Sequence, residues 1–240
     1  MLLRHLAVFC LADSRNTLRD PMLQVTLVTP FLLFAVLRFG LPLAEEAFEL
    51  NLLPHHSLIM ALAMLLMPLM TGMVISFILL DELDDQVLLA VAVTPISKSG
   101  YLQAKIILPV IYSFCISLLL LQFSGLVSVP LAAAVPAVII SSLLAPVIAL
   151  FISAFSQNKV IGLTLSKASG MLLLFPLAAY LLDDPWSWLM APAPTFWLTR
   201  MFLALEESLP AALGYASAAA AFQLLLIKVL AARFEKKTAG

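Results

Sequence analysis

Residues 57–80 read SLIMALAMLLMPLMTGMVISFILL, and residues 81–85 continue as DELDD. The first string carries no charged side chain. A helix needs roughly 20 mostly apolar residues to cross the hydrocarbon core of a bilayer, and this run is long enough. It shows no period-2 alternation and exceeds the roughly 10 residues of a barrel strand. The change to four carboxylates, Asp81, Glu82, Asp84 and Asp85, marks where the chain leaves the apolar phase.

The rest of the chain follows this pattern. Of 240 residues, 63% are apolar and 11% charged, against about 45–50% and 25% in soluble domains. Mean hydropathy is +1.09. These values exclude a soluble enzyme and a disordered chain. The net charge of −1 supplies no basic bulk for nucleic acid. Cys10 and Cys115 offer neither a CxxC motif nor a disulfide framework. The N-terminus lacks the small-residue cleavage site of a secretory signal.

Six runs satisfy the length criterion, at about 22–43, 57–80, 106–128, 131–154, 161–182 and 211–232. The expected fold is an all-α integral membrane protein, with residues 1–240 forming one transmembrane domain. The turn Ser128-Val129-Pro130 joins the third and fourth runs into a hairpin. Lysine and arginine set the orientation. Arg4, Arg15, Arg19, Lys98, Lys105, Lys159, Lys167, Lys228, Arg233, Lys236 and Lys237 fall on one side, and only Arg38 and Arg200 on the other. Both termini are therefore expected in the cytoplasm, with the chain in a plasma membrane of the bacterial inner-membrane type.

Residues 1–20 place Leu2, Leu3, Leu6, Phe9 and Cys10 on one arc with Arg4 opposite, which predicts an interfacial helix on the inner leaflet. Arg19-Asp20-Pro21 then turns the chain into span one. Between spans five and six, Trp186, Trp188, Phe196 and Trp197 stand among Pro185, Pro192, Pro194 and Pro210. This predicts a short element re-entering from the outer side; an ordinary aromatic belt is the alternative. No internal repeat supports an inverted-repeat transporter.

Catalytic signatures are missing. No G-x-x-x-x-G-K-[ST] loop is present to cradle ATP phosphates, so no cofactor is expected in this chain. G-x-S-x-G and H-E-x-x-H are likewise missing. His55 and His56 are adjacent and point about 100° apart on a helix, a poor metal clamp. Asp183-Asp184 precede Pro185 at a water-facing helix end. The spans hold few ionisable groups of the kind coupled transporters use. Energy for transport must come from outside this chain, unless it is a passive channel or scaffold.

The segment after span two carries the strongest pattern. Asp84 and Asp85 precede a short apolar helix at the end that favours negative charge. Thr94-Pro95 supplies a cap followed by proline at the first helical position of the next helix. The pattern describes either a rigid docking element or a solvated connection. It resembles the membrane subunits of ABC-2 type transporters, whose corresponding loop runs from an acidic pair through Gly-Thr-Leu-Glu and an apolar stretch to Thr-Pro-hydrophobic-Ser. Asp84-Asp85 match the acidic pair, Val87-Leu88 the Thr-Leu positions, and Thr94-Pro95-Ile96-Ser97 the close. Lys105 falls where such permeases carry a lysine. Gln86 stands where they carry glycine, Leu89 replaces their second acidic residue, and Gly100 stands near a frequent glutamate. Pro194-Thr195-Phe196-Trp197 and Arg233-Phe234 also resemble small drug-export permeases for fluoroquinolones.

The resemblance implies a coupling helix docked on a separate ABC ATPase subunit that binds ATP and Mg. Asp84, Asp85, Val87, Leu88, Val91, Thr94 and Pro95 would form the contact set. It also implies a second permease copy or a homologous chain. Gly162, Ser166 and Gly170 recur every four residues in span five, as close helix approach requires. That approach serves either a dimer contact or packing within the subunit. Met60, Met64 and Met67 share a face of span two near Thr71, and flexible thioethers suit varied apolar ligands or ordinary packing. So apolar a set of spans suits a hydrophobic or amphiphilic cargo. A nucleotide-independent scaffold or channel is the rival reading.

Overall fold

The structure, a computed structural model, describes residues 21–87, 98–182 and 185–239. The expected interfacial helix at 1–20 lies outside the described residues, as does the apolar stretch at 88–97. Among the described residues every regular element is helical, and six stretches are long and apolar enough to cross a membrane. The chain is an all-α, multi-pass membrane protein.

Span one comprises α1 (Pro21–Ala35), a π-turn (Val36–Gly40) and α2 (Leu41–Ala47). Pro42 cannot donate to the carbonyl four residues back, and its ring crowds that carbonyl. The turn before it widens accordingly. Span two is α3 (His56–Asp84), and span three is α4 (Lys98–Phe123). Span four divides into α5 (Leu131–Ser142) and α6 (Leu144–Phe155), and span five into α7 (Lys159–Gly170) and α8 (Leu174–Leu181). A 3-10 turn (Trp186–Met190) and α9 (Pro194–Glu207) follow, and α10 (Leu209–Ala239) is span six.

Span three ends at Phe123 rather than running on to 128. Gly125 adopts φ +80°, and a β-carbon there would lie 2.1 Å from Nη1 of Arg38. Leu126, Val127 and Val129 keep the segment apolar while the backbone has already left the helix.

Helix α3 is the centre of the bundle. It packs most extensively on α6 and also against α4, α7 and α9. It comes close to α6 at Gly72, where an added β-carbon would meet the Ala145 carbonyl oxygen at 2.5 Å and Cβ of Ile148 at 2.8 Å. Span one is peripheral: Val28, Phe31, Leu32, Val36, Phe39 and Leu43 are all exposed.

The divided spans have a common cause. Pro146 and Pro176 lack the N–H that would serve Ser142 and Leu172. In a membrane, a carbonyl freed in this way must find another donor. The Thr195 hydroxyl of α9 donates to the Leu172 carbonyl at 2.8 Å. Next to the other break, Gln223 of α10 donates to the Ile140 carbonyl at 3.1 Å. Helix α9 is thus fixed at the level of the span-five break. Phe196, Leu198 and Met201 are buried in it, while Trp186 and Trp188 remain exposed before it.

Candidate functional site

The bundle has a lysine-rich face, where α3, α4, α7 and α10 bring their charged ends together. Helix α3 closes with the Asp85 amide donating to Asp81 O at 2.9 Å and the Gln86 amide to Leu83 O at 3.2 Å. Gln86 has φ +55°. This left-handed conformation is the one glycine adopts without a β-carbon penalty, and glycine is a common residue just past a helix end.

The carboxylates before this turn have separate roles. Lys105 Nζ donates to Oε1 of Glu82 at 2.7 Å, with 1% of the lysine and 16% of the glutamate side chain exposed. The Tyr101 hydroxyl donates to the other oxygen of Glu82, and the Lys105 ammonium lies 5.6 Å from the Tyr101 ring centroid. Asp81 pairs with Lys159 at 3.0 Å, in a more open setting. Lys159 opens α7, whose first turn is capped by Asn158 Oδ1 accepting from the Ile161 amide at 3.0 Å. Two successive acids of α3 are therefore tied to spans three and five.

Asp84 and Asp85 are exposed. Val87 is half-buried and packs against the core. Leu88, Val91, Thr94 and Pro95 of the expected docking set lie outside the described residues. Span six joins the same face: Lys237 donates to the carbonyls of Ser153, at 2.7 Å, and Ser156, where α6 ends. The Arg233 guanidinium stacks 4.0 Å from the Phe155 ring centroid. The pairing of Glu82 with Lys105 and Tyr101 was not read from sequence. The only available signal was a lysine and a tyrosine on one face of the following helix.

Met60, Met64 and Met67 are buried in the core cluster around α3. Thr71 is buried with them and donates back to the Met67 carbonyl at 3.1 Å and the Pro68 carbonyl at 3.2 Å. In α7, Gly162 and Ser166 are buried. A β-carbon on Gly162 would lie 2.5 Å from Leu80 Cδ1, so its approach is to span two of the same chain. Gly170 has nothing within 4 Å of such an atom.

On the opposite face, the neighbouring histidines diverge. His56 Nε2 lies 3.1 Å from Glu45 of span one, and His55 Nδ1 lies 2.9 Å from the Tyr180 hydroxyl of span five. Among the described residues no three His, Cys, Asp or Glu side chains converge on a metal-sized site. Tyr180 also borders a cavity of about 250 Å³ between α8 and α9, with Pro176, Phe196, Thr199, Arg200 and Leu203.

Residues 13–231 match the protein-family model described as fluoroquinolones export permease protein Rv2686c-like. The chain belongs to this export-permease family. The match takes in spans one to five and most of span six. Among its relatives, the fluoroquinolones export permease proteins of two Mycobacterium tuberculosis strains, CDC 1551 / Oshkosh and ATCC 25618 / H37Rv, are each 26% identical over 243 residues. The alignment covers 98% of this chain and 96% of each relative. No solved structure matches the chain.

Proposed function

We propose that this export-permease family member is the membrane subunit of an ATP-driven exporter of the ABC-2 type. It moves a hydrophobic or amphiphilic drug-like cargo outward, fluoroquinolones being the class named for its relatives. A separate ABC ATPase docks on the 81–105 segment and binds ATP and Mg. The chain works as a dimer with a second copy or a homologous permease and performs no covalent chemistry itself. Both termini and the lysine-rich face lie in the cytoplasm of a bacterial inner membrane, as the bias of positive charge supports.

One observation carries this reading: the acidic end of span two is braced to spans three and five while Asp84 and Asp85 stay exposed. A helix end held in this way transmits force, because a push on the segment is delivered to neighbouring spans. In this scheme the ATPase supplies the push. ATP binding draws two such segments together, and the spans tilt to open outward.

The test is vanadate-sensitive ATP hydrolysis in material purified through a tag on this chain, expressed with its chromosomal neighbours. Activity that disappears in the Asp84→Lys/Asp85→Lys variant, with membrane insertion intact, is the expected result. No associated hydrolysis from a folded preparation overturns the reading in favour of a nucleotide-independent channel or scaffold.

A further inference from the structure

Arg38 has no part in the docking scheme. It stands inside span one, in the π-turn Val36–Gly40, and the helix runs on beyond it to Ala47. Seven residues further along, Glu45 pairs with His56 at the first turn of α3. At 1.5 Å per residue, Arg38 sits about 10 Å deeper than that pair. Among the described residues no hydrogen bond, ion pair or ring contact engages it. The five N–H donors of its guanidinium are therefore open to a ligand. Yet its side chain has a fixed place. It fills the notch left by the missing side chain of Gly125, just past the end of span three, where a β-carbon would lie 3.4 Å from Cζ and 4.0 Å from Cδ of Arg38. The charge thus bridges from span one to span three.

A slot of about 280 Å³ begins one turn before Arg38. Pro30, Phe31 and Phe34 of α1 face Ile116, Leu119 and Phe123 of α4 across it. Every residue that lines it is apolar. The slot exists because α1 packs on α3 rather than closely on α4. It opens to the outside of the bundle, where Phe31, Leu119 and Phe123 are exposed. Its wall on span three, from Ile116 to Phe123, is about 10 Å long. Phe34 lies four residues before Arg38, and Phe123 two before Gly125, so the slot leads to the guanidinium on both walls. A ring system bearing polar atoms would leave them without partners in such a slot, at a cost. A hydrocarbon tail has none to leave, and the guanidinium at the end of the slot calls for a negative head group.

We propose that the slot between spans one and three holds an acyl chain of an anionic phospholipid whose phosphate is bound by Arg38. A planar guanidinium pairs two of its N–H groups with two phosphate oxygens. The lipid supplies the layer that span one lacks on this side and ties it to span three. Binding requires neither an ATPase nor a cargo, so it stands or falls apart from the export reading.

The full chain, purified in a neutral detergent, is incubated with phosphatidylglycerol or with phosphatidylcholine of the same acyl chains. Native mass spectrometry counts the lipids retained. One phosphatidylglycerol per chain should be held at least tenfold more tightly than phosphatidylcholine. Arg38→Gln should lose that one molecule and keep any bound by the lysine-rich face, and Arg38→Lys, which meets phosphate as a point charge, should retain it more weakly. Leu119→Trp puts bulk into the slot from an exposed position and leaves Arg38 in place. It should weaken the same site even if Arg38→Gln fails to fold. Equal retention of the two lipids, or a phosphatidylglycerol count unchanged in Arg38→Gln or in Leu119→Trp, overturns the proposal. Displacement of the tightly held lipid by ciprofloxacin overturns it too, since the slot would then take cargo rather than lipid.

Discussion

Lys105 and Glu82 form an ion pair at 2.7 Å in which the lysine side chain is 1% exposed. Removing one partner of a buried pair strands the other charge and costs about 3–5 kcal/mol. Glu82→Ala should therefore lower the thermal stability of the purified protein by an amount in that range. The double variant Glu82→Gln/Lys105→Met should recover much of the loss. A double variant no better than the single would show that the pair is not what holds this junction.

The neighbouring pair provides a contrast. Asp81 and Lys159 lie 3.0 Å apart, but 44% and 42% of their side chains are exposed. Exposed pairs contribute about 0–1 kcal/mol. Lys159→Ala should barely change the melting temperature, and what it changes should shrink further in high salt. A loss matching that of Glu82→Ala would overturn this ordering.

Gln86, at φ +55°, should be improved by glycine. Left-handed backbone costs an L-residue about 1–2 kcal/mol, partly offset by the greater freedom of glycine in the unfolded chain. Gln86→Gly is expected to raise stability by about 0.5–1 kcal/mol. A destabilised Gln86→Gly would mean that the side chain contributes more than its backbone costs.

Three glycines should respond to alanine in a fixed order. A β-carbon on Gly72 meets backbone at 2.5 Å, one on Gly162 meets the tip of Leu80 at 2.5 Å, and one on Gly214 meets nothing within 4 Å. Overpacking against rigid neighbours costs about 1–3 kcal/mol. Gly72→Ala should cost most, Gly162→Ala less because Leu80 can change rotamer, and Gly214→Ala, in open space inside α10, should gain about 0.5–1 kcal/mol from the better helix former. Melting curves of the three variants decide the order.

Thr195→Val removes the donor to the Leu172 carbonyl, at 2.8 Å in the native chain. Interhelical hydrogen bonds in membranes contribute about 0.6 kcal/mol on average and up to about 1.7. A loss in that range is expected, together with faster hydrogen exchange around residues 172–176. Exchange unchanged there would show that α9 is held by its apolar contacts alone.

Much of the architecture was legible as uninterrupted apolar runs. The run at 57–80 became Leu53–Asp84, and that at 131–154 became Leu131–Phe155. Ends were less legible where hydropathy and backbone part company, as at Gly125. The breaks in spans four and five depended on Pro146 and Pro176, which a hydropathy window averages away. Small residues at 162 and 166 signalled a close approach without saying to which helix, since that is a property of the packed bundle. The acidic run was visible, but the division of labour within it was not. Glu82 and Lys105 are 23 residues apart, and helical periodicity says nothing about pairs across a loop. Gln86 stood out as a departure from glycine, and its positive φ supplies the physical meaning of that departure.

The contact at Gly72 bears on how the bundle can deform. With the backbone of span four within van der Waals reach of Gly72, spans two and four have no layer of side chains between them at that point to act as a bearing. Sliding one past the other would drive Ile148 into the backbone of α3. The two helices therefore behave as a single beam, hinged elsewhere. Compliance is left to the interruptions elsewhere: the π-turn of span one, the break between α5 and α6 in span four and the 3-10 turn of span five.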